Sequence, residues 1–334
     1  MNKIRVLTGI TPSGKPHIGN LCGAILPAVK ESQEKNVDSF LFLADYHSLI
    51  KHQDPILTHS SSIEMAACWL SCGLDHTKTT FYRQSDISNI MELNWILSCI
   101  TEKGLLNRAH AYKDAVDKNS IDFPDKNINM GLFNYPLLMS ADILMFNADI
   151  VPVGKDQVQH LEITRDIALK FNYHYGEVFS IPEARVDDHK GLLLGIDGQK
   201  MSKSYGNEIS IFLNSDDLRK RIMKITTNSL KPGQPKDYKD CTIFNIYSAF
   251  SSKKEVESMK LDYENGIAWS KAKEILYQLL NDKLSVYRKE YSKLLNNLDF
   301  LEDTLQDGAE RASLASEEMI KKIRYAVGIR KIGG

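Results

Sequence analysis

The sequence predicts an α/β protein in which a Rossmann-like, doubly wound parallel sheet is followed by an all-α C-terminal domain. Two observations lead to this prediction. Early in the chain, short apolar runs alternate with segments of helical spacing, the order that produces parallel sheets. The later part carries long helical patterns over residues 268–298 and 309–327. We place the boundary after Asn207, which divides the chain into residues 1–207 and 208–334.

Four apolar runs predict the buried strands of the sheet. They cover residues 4–7, 40–44, 79–83 and 150–154. Helices are predicted between them, the first beginning near His17 and another covering residues 63–74. The polar residues 111–129 predict an exposed, mobile connection. In open α/β sheets ligands bind beyond the carboxyl ends of the strands, so the loops that follow the strands are the candidate site.

Composition indicates a globular protein of a reducing compartment. A chain of 334 residues with 43% hydrophobic content can bury a large core. Its net charge of −1 does not by itself indicate a nucleic-acid partner. The five cysteines form no CxxC pair, and the sequence shows no signal peptide and no membrane-spanning run. We therefore predict a cytoplasmic protein with no membrane partner and no zinc site.

The loop between the first strand and the first helix has the features of an anion site. It leads directly into a helix N-terminus, where backbone N–H groups point outward. It has neither the Gly-Lys-Ser/Thr of a P-loop nor the glycine spacing of a dinucleotide fingerprint. His17 and Asn20 lie one turn apart, and Gly19 leaves space for a nucleotide. The alternative is that His17 and Asn20 only cap an ordinary helix.

A single carboxylate interrupts the apolar residues 130–149. Asp142 shares a helical face with Tyr135 and Met139. Burying an unpaired carboxylate is costly, so Asp142 must either meet a donor within the protein or accept a hydrogen bond from a ligand. The residues alone leave both alternatives open.

Polar residues also follow the second and the fourth predicted strands. They are His47 after the second strand, and Asp156 and Gln157 after the fourth. These positions lie beside any ligand at the strand ends. The next polar residues, 159–166, include His160 and pair at i, i+3 and i+4 spacing, so we interpret them mostly as structural.

A cationic loop near residue 200 is the second decisive motif. It has the sequence Lys-Met-Ser-Lys-Ser, from Lys200 to Ser204, and glycines precede and follow it. Two ammonium groups on a mobile loop suit a leaving polyphosphate, because they stabilise the charge that develops in the transition state. A generic basic surface loop is the alternative, and it does not explain the complete motif.

Together these motifs resemble those of the class I aminoacyl-tRNA synthetases. His-Ile-Gly-Asn at residues 17–20 and Lys-Met-Ser-Lys-Ser at residues 200–204 match their signature pair. Residues 135–142 and 151–166 look like the bacterial tryptophanyl-tRNA synthetase family in particular. The similarity runs from Gly9 to about Asn207, and the helical remainder is similar in kind.

The resemblance implies a two-step reaction with ATP, Mg²⁺, L-tryptophan and tRNA(Trp). The tryptophan carboxylate attacks the α-phosphorus of ATP to give tryptophanyl-adenylate and pyrophosphate, and the tryptophanyl group then passes to the 3′-terminal ribose of the tRNA. Residues 1–207 would form the catalytic domain, and residues 208–334 an anticodon-binding domain of a homodimer. Some relatives hold an iron–sulfur cluster near that domain, but this chain has only Cys241 there, so we expect none.

The resemblance also assigns roles position by position. Catalytic roles fall on His17, Lys200 and Lys203. ATP contacts fall on Thr11, Pro12, Ser13, His17, Gly19, Asn20, Gly154, Lys155, Asp156, Leu192, Lys200, Met201, Ser202, Lys203 and Ser204. Tryptophan contacts fall on Gly9, His47, Tyr135, Met139, Asp142 and Gln157. In this assignment Asp142 accepts the indole N–H, which resolves the cost of its burial.

Two positions depart from the commonest bacterial pattern. Thr11 stands where many relatives have glutamine and reaches less far. The loop before Lys200 is shorter than in the commonest bacterial form, so the position assigned to Leu192 depends on where the family alignment places the shortening.

Three other functions compete with this interpretation. Tyrosyl-tRNA synthetases usually have glutamine at the position of Met139, and a methionine packs on an indole but offers nothing to a phenol. A non-catalytic, RNA-binding paralogue often loses a signature lysine or histidine, whereas His17, Lys200 and Lys203 are all present here. Nucleotidylyltransferases of the same superfamily are typically shorter and lack the long helical domain, and they would need neither the helix of Met139 and Asp142 nor the segment of Asp156 and Gln157.

Overall fold

A computed structural model describes residues 3–12, 14–51, 53–186 and 193–332. The strands in these residues form one parallel sheet in the order β3-β2-β1-β4-β5. They are β1 (Ile4–Ile10), β2 (Val37–Leu43), β3 (Thr80–Arg83), β4 (Ile150–Val153) and β5 (Glu183–Val186). The chain builds outward from β1 to β3, then crosses back to β4 on the other side of β1. This confirms the predicted doubly wound parallel sheet, with its switch point between β1 and β2 on one side and β4 on the other.

The edge strand β5 was not predicted from the sequence. It pairs in parallel with β4, from Ile150 opposite Glu183 to Val153 opposite Val186. Its first three residues are exposed. An exposed edge strand needs no apolar run, so its sequence lacks the signal that identified the buried strands.

The described residues form fourteen α-helices, and several of them correct the predicted boundaries. The helices are α1 (Ile18–Asn20), α2 (Leu26–Ser32), α3 (Asp45–Ser48), α4 (Pro55–Ser71), α5 (Ser88–Ile100), α6 (Lys103–Leu106), α7 (His110–Asp117), α8 (Met130–Met145), α9 (Val158–Tyr175), α10 (Ser215–Met223), α11 (Thr242–Phe250), α12 (Lys253–Glu264), α13 (Trp269–Leu295) and α14 (Leu298–Ala326). The helix predicted over residues 63–74 covers Pro55–Ser71, and the last helix, predicted over residues 309–327, covers Leu298–Ala326. A π-helical turn, Leu21–Ile25, joins α1 to α2. Helix α7 lies in the stretch predicted to be a connection, and none of its residues is buried. Helix α8 begins six residues before Pro136 rather than after it, and a short 3₁₀ turn, Lys155–Gln157, precedes α9.

The helical part of the chain packs directly on the sheet domain. One continuous core contains Leu41 and Trp69 together with Ile243 and Leu276. Helix α13 packs on α4, and α14 packs along β3. The predicted all-α character after Asn207 is confirmed for the described residues, whereas the division at that residue stays a prediction. In the described part of the chain, no helix is long and apolar enough to span a membrane.

A glycine allows α14 to approach the edge strand β3. A Cβ atom on Gly308 would lie 1.7 Å from the carbonyl oxygen of Phe81. Nearby, the guanidinium of Arg311 donates to the carbonyl oxygens of His76 and Thr79, at 2.9 and 3.0 Å. These contacts cover the edge of the sheet with a helix, which protects it from pairing with other strands.

Candidate active site

The first loop ends in a reciprocal cap at the start of α1. The backbone N–H of Asn20 donates to Nδ1 of His17 at 3.3 Å, and the backbone N–H of His17 donates to Oδ1 of Asn20 at 3.1 Å. The capping role left open by the sequence is therefore present. It leaves the other ring nitrogen of His17 available for a second role.

The His17 ring is held in its neutral form. Burial lowers the pKa of His17 to about 4, and the nearby ammonium of Lys203 acts in the same direction. Because Nδ1 accepts a hydrogen bond, the hydrogen-bond pattern assigns the proton to Nε2. At neutral pH the His17 side chain is therefore uncharged, and its Nε2–H can donate a hydrogen bond.

Gly19 is required by the protein itself. A Cβ atom at this position would lie 2.9 Å from the His17 ring, closer than side chains tolerate. The sequence suggested that Gly19 leaves space for a nucleotide. The structure adds a reason within the fold, because the glycine lets the His17 ring lie against the first turn of the helix.

The cationic loop is organised by Asn207, a residue that the sequence did not identify. Its Oδ1 accepts from the backbone N–H of Ser202 at 2.8 Å. Its Nδ2 donates to Oδ1 of Asp197 at 2.8 Å and to the carbonyl oxygen of Lys200 at 3.0 Å. Asn207 is 2% exposed, and a Cβ atom on Gly195 would lie 2.3 Å from its side chain. One buried amide thus joins residues 197, 200 and 202, a role that an asparagine in a sequence does not reveal.

The cationic loop lies against the first loop. The backbone N–H of Ile18 donates to the carbonyl oxygen of Ile209 at 2.9 Å, and that of Ile211 donates to Pro16 at 3.2 Å. A Cβ atom placed on Gly14 would lie 3.8 Å from Nζ of Lys203. Burial lowers the pKa of Lys203, and the carboxylates of Glu208 and Glu64 act against it. The two predicted phosphate-binding motifs therefore form one surface, with Lys200 exposed and Met201 buried beneath it.

Asp142 has partners within the protein. It is 1% exposed, and Nε2 of His47 donates to its Oδ2 at 3.0 Å. The amide of Gln84 donates to Oδ1 and Oδ2 at 2.8 and 2.9 Å. Burial raises the pKa of Asp142, while the hydrogen bonds from His47 and Gln84 act in the opposite direction. Asp142 therefore meets donors within the protein, which was one of the two alternatives left open by the sequence. It can also accept a hydrogen bond from a ligand, because the internal donors do not use every acceptor position of a carboxylate.

A second hydrogen-bonded chain joins α8 to α9. The hydroxyl of Tyr135 donates to Nε2 of His160, and Nδ1 of His160 donates to Oε1 of Gln157 at 3.0 Å. The ring of Tyr135 also packs edge-on against His47, with 6.5 Å between centroids. His160 was interpreted as structural, and it is buried, but it connects two predicted tryptophan contacts.

The other predicted residues occupy the same end of the sheet or lie outside the described part. Met139 is half-buried one turn before Asp142. A Cβ atom on Gly9 would lie 2.6 Å from the Phe42 ring, so that position also needs glycine. Positions exposed or partly exposed near the strand ends are Thr11, Gly154, Lys155 and Ser202, whereas Pro12 is buried. Ser13 and Leu192 lie outside the described residues. The side chains of Asp156 and Ser204 are likewise not described.

Comparison with known proteins identifies the family. Residues 1–285 match the model for tRNA synthetases class I (W and Y). The chain is 50% identical over 335 residues to the tryptophan–tRNA ligase of Neisseria meningitidis serogroup A, covering 99% of this chain and 100% of that one. It is also 50% identical to the tryptophan–tRNA ligase of Pseudomonas aeruginosa, over 98% of this chain and 74% of that one.

A solved structure supports the same assignment. It is tryptophanyl-tRNA synthetase from Campylobacter jejuni complexed with ADP and tryptophan. That structure matches with a TM-score of 0.89 and 43% identity, covering 97% of this chain and 100% of that chain. The predicted synthetase family is confirmed, and this chain belongs to the class I tRNA synthetases of the tryptophan and tyrosine family.

Proposed function

We propose that this chain is a tryptophan–tRNA ligase that activates L-tryptophan with ATP and transfers it to tRNA(Trp). The observation that carries the proposal is the buried carboxylate of Asp142. It lies one helical turn from Met139 on α8, and it is hydrogen-bonded to His47, which lies just after the end of β2. The curated relatives at about half identity are tryptophan–tRNA ligases, which supports tryptophan rather than tyrosine as the substrate.

The activation step needs no nucleophile from the protein. The ionised carboxylate of tryptophan forms a bond to the α-phosphorus of ATP as the bond to the leaving pyrophosphate breaks. Catalysis is then positioning and charge stabilisation. Neutral His17 donates its Nε2–H to a phosphate oxygen, and Lys200 and Lys203 stabilise the charge that develops on the pyrophosphate. The adjacency of the first loop and the cationic loop supports these assignments.

The nucleotide is proposed to bind along these two loops and the turn after β4. The first loop contributes Thr11, Pro12, Ser13, His17, Gly19 and Asn20. The later segments contribute Gly154, Lys155, Asp156, Leu192, Lys200, Met201, Ser202, Lys203 and Ser204. The described residues contain no group of three or more His, Cys, Asp or Glu side chains that would hold a metal ion. We propose that Mg²⁺ enters bound to ATP as part of the substrate.

The indole is proposed to lie between α8 and the ends of β1 and β2. Asp142 accepts the indole N–H, and Met139 packs on the ring. Gly9, His47 and Tyr135 line the same pocket, with Gln157 near the amino group. A site built to bond one polar group rejects analogues that cannot supply it, which gives the pocket its selectivity.

We also propose the second step of the reaction, an assembly and a compartment for this chain. The tryptophanyl group passes to the 3′-terminal ribose of tRNA(Trp), and the helices after Asn207 read the anticodon.

We propose a homodimer, which the neighbouring exposed side chains Met91 and Trp95 on α5 support, since exposed apolar clusters mark interfaces. All five cysteines are free, which fits a reducing cytoplasm.

The experiment that tests the function is amino-acid-dependent exchange of pyrophosphate into ATP. Tryptophan, tyrosine and phenylalanine are compared with the same folded protein and Mg²⁺. We expect exchange with tryptophan only, and an Asp142→Ala variant that loses this selectivity. Exchange with tyrosine alone would show that the α8 pocket has been misassigned. No exchange with any of the three would favour a binding protein without catalysis.

A further inference from the structure

Gln84 lies directly behind the carboxylate of Asp142, although it lies 58 positions earlier in the chain. It follows β3, is 0% exposed, and points its Nε2 at both carboxylate oxygens, at 2.8 and 2.9 Å. The amide can adopt only this orientation, because the reverse would place its oxygen against an anion.

The surroundings of this amide are polar and buried but incompletely satisfied. Among the residues that the structure describes, Oε1 of Gln84 and the hydroxyl of Tyr82 have no hydrogen-bond partner. Unsatisfied buried polar atoms are uncommon and destabilising. A core position that only needed filling would be occupied more favourably by an apolar side chain, so the amide at position 84 points to a functional requirement.

The contacts also determine which acceptor position of Asp142 remains. A carboxylate has about four lone pairs, two on each oxygen. Gln84 contacts both oxygens and His47 contacts Oδ2, so Oδ2 has two donors and Oδ1 has one. The remaining acceptor direction therefore lies on Oδ1. Without Gln84 the carboxylate would lose the donor that contacts both of its oxygens, and the hydrogen bond from His47 to Oδ2 would remain to orient it.

We propose that Gln84 is a positioning residue for tryptophan selectivity, which orients the Asp142 carboxylate so that Oδ1 accepts the indole N–H. This inference rests on the proposed role of Asp142. It makes Gln84 part of the specificity of the reaction although it need not touch the substrate.

The test compares tryptophan with its benzothiophene analogue, in which sulfur replaces the indole N–H. The measured quantity is kcat/KM for each amino acid in pyrophosphate exchange. For Gln84→Met we expect kcat/KM for tryptophan to fall about 30-fold, while the value for the analogue and the KM for ATP change less than about threefold. Gln33→Met, an exposed position at the end of α2, is the matched control and should leave both values unchanged.

The pH dependence separates positioning from a merely structural role. Removing the donor in Gln84→Met raises the pKa of Asp142 further, so selectivity for tryptophan should be lost at a higher pH than in the wild type. Gln84→Glu keeps the shape, and its protonated carboxyl still donates to Asp142. Selectivity in Gln84→Glu should therefore be greatest at low pH and should fall as the second carboxyl ionises. The two variants thus have opposite pH trends.

Each outcome has one meaning. Equal losses for tryptophan and the analogue in both Gln84 variants, with no change in pH dependence, would overturn the inference and leave Gln84 a packing residue. Asp142→Ala distinguishes this from failure of the pocket itself, because alanine cannot accept the indole N–H. If Asp142→Ala also keeps the wild-type preference for tryptophan over the analogue, the role of Asp142 is wrong. If only Asp142→Ala loses the preference, the inference about Gln84 alone is wrong.

Discussion

Replacing Asn207 with alanine should disable the cationic loop without unfolding the protein. The substitution removes three side-chain hydrogen bonds, to the backbone of Ser202, the carboxylate of Asp197 and the carbonyl oxygen of Lys200. At about 1 kcal/mol for each neutral bond and somewhat more for the bond to a carboxylate, the loop loses about 3 kcal/mol of positional stabilisation. If this loss is expressed fully in the transition state of activation, kcat falls about 150-fold.

The assay is tryptophan-dependent pyrophosphate exchange, with kcat and the KM for tryptophan measured separately. We expect the KM for tryptophan to change little, because the three side-chain hydrogen bonds of Asn207 are to the cationic loop and its flank. Asn296→Ala is the matched control, since Asn296 is an exposed residue at the end of α13. A folded Asn207→Ala protein whose kcat falls less than about threefold would refute the reasoning, because the loop would then hold its catalytic conformation without the buried amide.

Two further predictions concern stability. The pKa of His17 is about 4 in the folded protein and 6.5 in the unfolded chain, so the unfolded state binds the proton more readily. The stability that depends on neutral His17 is thus present above pH 6.5 and is lost as the pH falls towards 4. Between these pH values, urea unfolding should show that the free energy of unfolding falls by about 3 kcal/mol less in His17→Gln than in the wild type. In Gly308→Ala a Cβ atom would lie 1.7 Å from a backbone oxygen of β3, so thermal unfolding should show destabilisation of about 3 kcal/mol or more. Gly23→Ala, where no atom lies within 4 Å, should be neutral or stabilising, and equal effects at the two glycines would contradict the close packing of α14.

The site uses neutral and charged donors for different purposes. His17 is buried and stays uncharged, whereas Lys200 is exposed on the cationic loop. In the proposed assignment, a neutral donor in the first loop holds a phosphate oxygen without adding charge to the ground state, and the lysines act where charge develops. The buried carboxylate of Asp142 depends on donors within the protein for its ionisation, so the proposed selectivity would depend on how the surrounding residues pack.

The sequence by itself determined the features that depend on neighbouring residues. Apolar runs and helical spacing predicted β1 to β4 and the start of the first helix at His17, because burial imposes these periods locally. The complete motifs at residues 17–20 and 200–204 predicted the family, which the comparisons confirm. The roles of individual site residues stay predictions, since they depend on ligands.

Only the tertiary structure decided which distant residues meet. The contact of Gln84 with Asp142 and that of α14 with β3 join segments far apart in the chain, and neither leaves a local pattern. Asn207 looks like an ordinary loop asparagine until its three partners are brought around it. Strand β5 lacked an apolar run because it lies at an exposed edge. The spacing of apolar residues in a sequence indicates only which residues are buried. Which residues they contact depends on how the helices and strands pack together.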